Sequence, residues 1–306
     1  MYRERQSAQT LTRSLRGNPC HLRCWGPDTS PLPPLVLLHG WMDVGASWQF
    51  VVDAFSEALS GQRRIIAPDW RGFGLSMPAS AVDCYHFSDY LADLDALLHE
   101  LAGEAAIDLV GHSMGGNLAM MYAGVRPARI RRLVNLEGFG LPATDPAEAP
   151  ARYAQWLDEL QRLRQGEIHL KSYDSADKVA ARLMRTNPRL GADKAAWLAQ
   201  HWARQGADGR WHVLGDAAHK VVSAQLYRVD EALALYAAIT APVLCIESEQ
   251  DSPALWFKGR FTLREHHQRL THVRQLQTAT VQDAGHMLHH DQPAVVARLI
   301  EDFLGA

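Results

Sequence analysis

The sequence feature that most constrains the fold is a glycine-flanked serine that joins an apolar run to a helical pattern. The apolar run covers residues 107–110, and the motif Gly-x-Ser-x-Gly follows it at residues 111–115. A serine on such a sharp strand-to-helix turn has a strained backbone and points its hydroxyl out of the sheet. The strand and the helix approach so closely that the flanking positions must lack a Cβ atom, as Gly111 and Gly115 do. The motif therefore predicts an accessible, reactive Ser113.

Apolar runs that are typical of strands buried on both faces alternate with helical patterns along much of the chain. Besides the run before Ser113, they occupy residues 35–38, 64–69, 133–138, 242–246 and 280–283. A chain that alternates strands with helices is expected to form an α/β fold with a doubly wound, mostly parallel sheet. In such sheets, ligands bind beyond the carboxyl ends of the strands.

Residues 142–240 interrupt this alternation, because they contain helical patterns and almost no strand-like run. We therefore predict an inserted helical cap over residues 142–240, while residues 1–141 and 241–306 form the core. The cap is rich in tryptophan. We expect either an apolar roof over a ligand or ordinary core packing from Trp156, Trp197, Trp202 and Trp211.

The composition disfavours several classes of partner. The 306 residues carry a formal net charge of −3, which provides no basic surface for nucleic acid or anionic lipid. No apolar run approaches the ~20 residues that span a bilayer, and the basic N-terminal stretch lacks the apolar centre of a signal peptide. The four cysteines are expected to be reduced. We therefore predict a cytoplasmic protein with no nucleic-acid or membrane partner.

The histidines do not indicate a metal centre by their spacing. His266 and His267 form one group, and a second group near the C-terminus comprises His286, His289 and His290. Neither group has a nearby third ligand of clear spacing, and a zinc site needs several ligands of defined geometry. We therefore predict that the protein binds no metal and needs no cofactor.

Several chemically competent groups follow the strand-like runs and are expected at one edge of the sheet. A serine hydroxyl attacks only when a base removes its proton, and His286, which follows a short strand and a glycine, is the best-placed neutral imidazole. A carboxylate must orient that imidazole, and Asp251 is the first choice. The backbone N–H groups of Trp41 and Met114 are expected to bind the oxyanion that forms during attack.

The chain resembles the α/β-hydrolase family from about Leu35 to its C-terminus. Its nucleophile, acid and histidine occur in the family's order as Ser113, Asp251 and His286. Other motifs that are similar to those of the family are His39-Gly40-Trp41, the loop with Asp69, Arg71, Gly72, Gly74 and Ser76, and Gly285-His286. The resemblance implies a serine esterase that cleaves a small-molecule carboxylic ester of apolar character through an acyl-serine intermediate.

The resemblance leaves alternatives open for the acid and for the reaction. The family often has glycine three residues before the acid, where this chain has Ser248, and some relatives take their acid from the position that Glu137 occupies. Relatives that attack with aspartate, such as dehalogenases, are disfavoured because the strand-to-helix turn carries serine at the position of the nucleophile. A carbon–carbon bond hydrolase of the same fold, or a ligand sensor with slow turnover, remains a competing interpretation.

Overall fold

Eleven strands occur in the computed structural model, which describes residues 2–305; the outermost residues of the predicted core, Met1 and Ala306, lie outside the described residues. The strands are β1 (Gln9–Leu15), β2 (Asn18–Trp25), β3 (Leu35–Leu38), β4 (Ile65–Pro68), β5 (Ile107–His112), β6 (Ile130–Leu136), β7 (Ser172–Tyr173), β8 (Ala203–Gln205), β9 (Trp211–Val213), β10 (Val243–Ser248) and β11 (Leu276–Val281).

The helices connect these strands and cover both faces of the main sheet. The α-helices are α1 (Gln49–Val52), α2 (Glu57–Ser60), α3 (Phe87–Ala102), α4 (Met114–Val125), α5 (Ala149–Arg164), α6 (Ala176–Thr186), α7 (Ala192–Trp202), α8 (Val229–Ala238), α9 (Ser252–Trp256), α10 (Leu263–Leu270), α11 (Leu288–Asp291) and α12 (Pro293–Leu304). Short 3₁₀ turns cover Gly45–Trp48, Pro127–Arg129, Pro146–Glu148 and Ala217–Lys220.

The main sheet has eight strands in the order β1-β2-β4-β3-β5-β6-β10-β11. The pairs β1/β2 and β2/β4 are antiparallel, and the other neighbouring pairs are parallel. The predicted α/β fold with a doubly wound, mostly parallel sheet is therefore confirmed. The carboxyl ends of β5, β6, β10 and β11 lie side by side, which brings the loops after them to one edge.

The core lies in two layers, one on each face of the sheet. Strand β3 shows the alternation, because Leu35 and Leu37 face a cluster with α1 and α12, whereas Val36 and Leu38 face α3, α4 and α8. Residues at successive positions of a strand point to opposite faces, so a run buried on both sides must be apolar throughout. This requirement explains the continuous apolar runs of the sequence.

The segment between β6 and β10 folds differently from the prediction in two respects. It contains a small antiparallel sheet of order β7-β9-β8, where the sequence indicated almost no strand. Its last helix, α8, packs on α4 in the main core: a Cβ atom added at Gly124 would lie 2.4 Å from the Leu235 carbonyl oxygen. Helix α8 therefore packs as part of the core layer; the rest of this segment, α5 to α7 with the small sheet, is called the insertion.

None of the described helices combines the length and the apolar character needed to cross a bilayer. All four cysteines are free thiols, and three of them are buried.

Candidate active site

Ser113 lies on a tight turn between β5 and α4. Its backbone has a positive φ of 52°, and its N–H donates to the Leu136 carbonyl oxygen at 2.8 Å. A Cβ atom at Gly111 would lie 2.3 Å from the Gly115 carbonyl oxygen, and one at Gly115 would lie 2.4 Å from the Leu38 carbonyl oxygen. The predicted need for two glycines is thus confirmed. A non-glycine residue in this conformation is strained, and such strain concentrates at functional sites.

His286 lies in the loop after β11 and reaches the serine across the edge of the sheet. Its Nε2 atom is 3.0 Å from Ser113 Oγ, which is hydrogen-bonding distance. Its backbone carbonyl accepts a hydrogen bond of 2.8 Å from the Nε2 of His112, the residue before the serine. The structure therefore brings together Ser113 and His286, which are separated by 173 positions in the chain.

Glu137 lies directly after β6 and is the carboxylate that contacts this histidine. Its Oε2 is 3.2 Å from Nδ1 of His286, and its Oε1 accepts a hydrogen bond of 2.6 Å from the Ser248 N–H. The side chain is buried, and the backbone has a positive φ of 54°. With Nδ1–H donated to Glu137, the lone pair of His286 Nε2 is directed at the hydroxyl of Ser113.

Asp251 does not contact His286, and the structure corrects this expectation. Asp251 is exposed and caps α9: its Oδ1 accepts hydrogen bonds from the N–H groups of Ala254 at 2.9 Å and Leu263 at 3.0 Å. A carboxylate held by two backbone donors at a helix start is a structural cap. Glu137, the alternative acid, occupies the place beside His286 that was expected for Asp251.

A sequence signal for Glu137 lies in the glycine that follows its strand. The Asn135 side chain accepts from the Gly138 N–H at 3.0 Å and donates to the Gly138 carbonyl at 2.8 Å, which builds a tight turn around residue 137. A Cβ atom at Gly138 would meet Asn135 Oδ1 at 2.3 Å. The Asn-Leu-Glu-Gly segment therefore marks a constrained turn with an acidic residue at its tip, like the turn around Ser113.

The two predicted oxyanion donors lie on either side of the serine. Met114 is the first residue of α4, where backbone N–H groups lack acceptors within the helix. Trp41 follows Gly40, and a Cβ atom at Gly40 would lie 3.2 Å from Ser113 Cβ, so this loop runs directly past the serine. The buried His39 ring accepts from Trp70 N–H and donates to the Gly40 carbonyl, which holds the loop in place.

Three of the four tryptophans named in the predicted cap pack in one hydrophobic cluster. Trp197, Trp202 and Trp211 belong to a hydrophobic cluster in which Val179 and Leu198 of the insertion pack against Phe50 of α1. Their burial in that cluster accounts for them as core residues, which was the other interpretation.

Apolar side chains at the opening of the site come from other segments. Trp256, at the end of α9, is 62% exposed, and its ring centroid lies 4.7 Å from that of His286. Trp41, in the loop that passes Ser113, is 50% exposed. Exposed aromatic rings beside reactive groups are suited to contact an apolar ligand.

Close to Ser113 and His286, the fold brings together three buried polar side chains that are far apart in the sequence. Asp43, His112 and His289 each place one possible ligand atom within 4.8 Å of the others. Burial raises the pKa of Asp43 to about 7 and holds the pKa values of His112 and His289 well below the usual range of histidine. The histidine spacing predicted no metal, whereas the fold brings Asp43, from a distant segment, next to His112 and His289.

Comparison with known proteins agrees with the fold. A family model described as the alpha/beta hydrolase fold matches residues 33–293. A protein of Danio rerio called serine hydrolase-like protein is 26% identical over 284 residues, covering 92% of this chain and 83% of its own. The 2-hydroxymuconate semialdehyde hydrolase of Pseudomonas sp. (strain CF600) is 35% identical over 136 residues, 42% of this chain and 46% of its own.

Among solved structures, the thioesterase domain from the curacin biosynthetic pathway superposes with a TM-score of 0.81 at 25% identity, covering 97% of this chain and 99% of the domain. The chain belongs to the α/β-hydrolase family.

Proposed function

We propose that this protein hydrolyses carboxylic esters of small to medium apolar substrates through an acyl-serine intermediate. The observation that carries the proposal is the chain of contacts from Ser113 Oγ to His286 Nε2 at 3.0 Å and from His286 Nδ1 to Glu137 at 3.2 Å. This arrangement supplies a nucleophile, a general base and an anion that stabilises the imidazolium, which are the three roles of acyl transfer by serine.

In the proposed reaction, Ser113 Oγ attacks the ester carbonyl carbon while His286 Nε2 takes the hydroxyl proton. The oxyanion is bound by the backbone N–H groups of Met114 and Trp41, and Glu137 stabilises the imidazolium. His286 then gives its proton to the alkoxide leaving group, which departs as the alcohol. Water attacks the acyl-serine by the same route and releases the acid and free Ser113.

We propose that the insertion between β6 and α8 covers the reacting groups. Three contacts support this role. Trp202 Nε1–H donates to the Met42 carbonyl at 2.9 Å, and the Gly74 N–H donates to the Leu214 carbonyl at 2.9 Å. Asn187 donates to Asp291 at 2.7 Å, in the helix that follows His286. These bonds tie the insertion to loops at the carboxyl edge of the sheet, so closure over the site excludes water from the reaction.

The apolar character of the substrate is inferred from two exposed tryptophans: Trp256, whose ring packs against that of His286, and Trp41, which lies in the loop that passes Ser113. An aromatic ring in contact with His286 provides a flat apolar surface for the acyl or the alcohol portion. The fold-related thioesterase domain is compatible with acyl transfer on this scaffold, because thioesters and oxygen esters both react through a tetrahedral intermediate and can give the same acyl-serine.

A second candidate reaction is carbon–carbon hydrolysis, favoured by the 35% identity to the 2-hydroxymuconate semialdehyde hydrolase over 136 residues. A substrate panel separates the two reactions. It contains p-nitrophenyl esters from acetate to palmitate and a dienol ketone acid whose C–C cleavage is followed by absorbance. Faster turnover of an ester supports the proposal, and exclusive turnover of the dienol ketone replaces it with the second candidate.

Replacement of the nucleophile tests the covalent route directly. We expect Ser113→Ala to lower kcat on p-nitrophenyl esters by about 10⁴- to 10⁶-fold, because the acyl-enzyme can no longer form. A fluorophosphonate probe should label the wild-type protein at Ser113 and leave the variant unlabelled. A wild-type protein that neither reacts with the probe nor turns over any substrate is a ligand sensor, and the proposal is then wrong.

A further inference from the structure

We propose that Asp43, His112 and His289 form a buried site for one divalent transition-metal ion with the ligand preference of Zn²⁺. The three side chains come from the loop after β3, the end of β5 and α11. Two imidazole nitrogens and one carboxylate oxygen are a ligand set that Zn²⁺ binds readily. The site is separate from the reacting atoms of Ser113, so its existence does not depend on the proposed function.

The cluster contains buried nitrogen atoms without hydrogen-bond partners. His112 Nδ1 and both ring nitrogens of His289 have no hydrogen-bond partner among the described residues. The two histidines are 1% and 0% exposed, and Asp43 is 6% exposed. Leaving such groups unpaired in the interior is unfavourable, because each has lost its hydrogen bonds to water. One metal ion bound by several of these neighbouring atoms would account for their lack of other partners.

The tautomer of His112 leaves a lone pair free to bind a metal. Its Nε2 lies 2.8 Å from the His286 carbonyl oxygen, which can only accept, so Nε2 carries the proton. The lone pair of His112 is therefore on Nδ1, the atom without a partner. A histidine that ligates a metal through one nitrogen and donates the other N–H to a backbone carbonyl is the usual arrangement around protein metals.

The charge of the cluster also favours a bound cation. Asp43 Oδ2 accepts a hydrogen bond of 2.8 Å from Ser47 Oγ and lies 3.9 Å from His289 Nε2. Among the residues that the structure describes, no lysine or arginine forms an ion pair with Asp43. A buried carboxylate beside two neutral imidazoles lacks a compensating cation, and a dipositive ion supplies one.

The dimensions of the cluster require only a small contraction. Zn²⁺ bonds of about 2.0–2.2 Å place tetrahedral ligand atoms about 3.4 Å apart. The present separations fall within 4.8 Å, with 3.9 Å between Asp43 and His289. Side-chain movements of about 1 Å therefore complete the site, and a water molecule is suited to the fourth position.

Occupancy of this site should affect the reaction, and this part of the inference rests on the proposed function. The rings of His112 and His286 are 4.9 Å apart between centroids, and His112 also holds the backbone of His286. A dipositive ion on His112 opposes the formation of a second cation on the His286 imidazole in the transition state. Bound metal should therefore lower turnover.

The test measures Zn²⁺ binding to the full-length protein after dialysis against a chelator. Calorimetric titration should show one tight ion for each wild-type chain, and Asp43→Asn and His289→Gln should weaken that binding at least about tenfold. Asp53→Asn is the matched control, because Asp53 has the same 6% exposure but accepts from backbone N–H groups of Arg5 and Gln6. Equal binding by the wild-type protein and both ligand variants, through surface histidines alone, would overturn the proposal.

Two measurements on the wild-type protein keep the test decisive if the variants fail to fold. Co²⁺ should give the visible absorption of a four- or five-coordinate site, and Zn²⁺ soaked into crystals should give an anomalous peak between Asp43, His112 and His289. An anomalous peak confined to surface histidines would also refute the site.

Turnover on an ester, with and without one equivalent of Zn²⁺, then tests the coupling to catalysis. We expect kcat to fall at least about tenfold in the wild-type protein and not in Asp43→Asn. Tight binding with unchanged kcat would retain the site and refute the coupling. If the protein hydrolysed none of the substrates, the proposed function would be refuted, but the result on Zn²⁺ binding would still be valid.

Discussion

The ends of β6 and β10 both carry an acidic residue near the catalytic edge, but the two residues have opposite environments. Glu137 is 2% exposed and pairs with His286, whereas Asp251 is exposed and pairs with two backbone N–H groups. A carboxylate in a buried position interacts strongly with an imidazolium, and an exposed one is screened by water. The comparison indicates that burial and contact with His286, rather than order in the chain, distinguish the proposed acid from the helix cap.

The largest expected effect that separates the two acids is that of Glu137→Gln. The amide keeps the size of the side chain but no longer stabilises the imidazolium, so kcat on p-nitrophenyl acetate should fall about 10³- to 10⁴-fold. Asp251→Asn, which makes the same chemical change at the other strand end, should stay within about threefold of the wild type. The reverse pattern would restore Asp251 as the acid.

A shorter acid at residue 137 refines the comparison. Glu137→Asp keeps the charge but withdraws the carboxylate from His286 by about one methylene, and a displacement of about 1 Å can cost about 10²-fold in rate. We expect kcat to fall by about that factor, between the wild type and Glu137→Gln. If Glu137→Asp were as inactive as Glu137→Gln, charge alone would not account for the role of Glu137.

The end of β10 contributes an apolar surface in place of a carboxylate, and Trp256→Ala tests this contribution. Loss of the ring that packs against His286 should lower kcat/KM for p-nitrophenyl esters by about three- to tenfold, since an aromatic contact contributes about 0.5–1.5 kcal/mol. Leu255→Ala is the control, because Leu255 is 68% exposed on the same helix. Equal losses in both variants would indicate damage to α9 rather than a substrate contact.

The smallest expected effect concerns Asp251 as a helix cap. Asp251→Ala should lower the free energy of unfolding by about 1 kcal/mol, because the first turn of α9 loses its acceptor. Thermal unfolding should then shift down by about 2 °C, while Asp251→Asn, which can still cap the helix, should lie close to the wild type. A melting temperature that does not change in Asp251→Ala would show that α9 needs no cap.

Much of the fold could be predicted from the sequence because its determinants are local. Runs buried on both faces of a parallel sheet must be apolar at every position, as Leu35 to Leu38 are. The two glycines around Ser113 are required by backbone contacts of 2.3 and 2.4 Å, which any side chain would violate. The three short strands of the insertion escaped prediction, because segments of two or three residues carry no periodic signal.

The chain by itself determined the parallel sheet, the turn that presents Ser113 and the histidine that follows the last strand, because each depends on residues close together in sequence. Only the tertiary structure decided that Glu137, not Asp251, lies against His286, since that choice depends on the order of strands and on which loop is buried. The same holds for Asp43, His112 and His289, which come from three distant segments. Contacts between distant strand ends depend on how the sheet is assembled, and no local pattern encodes them.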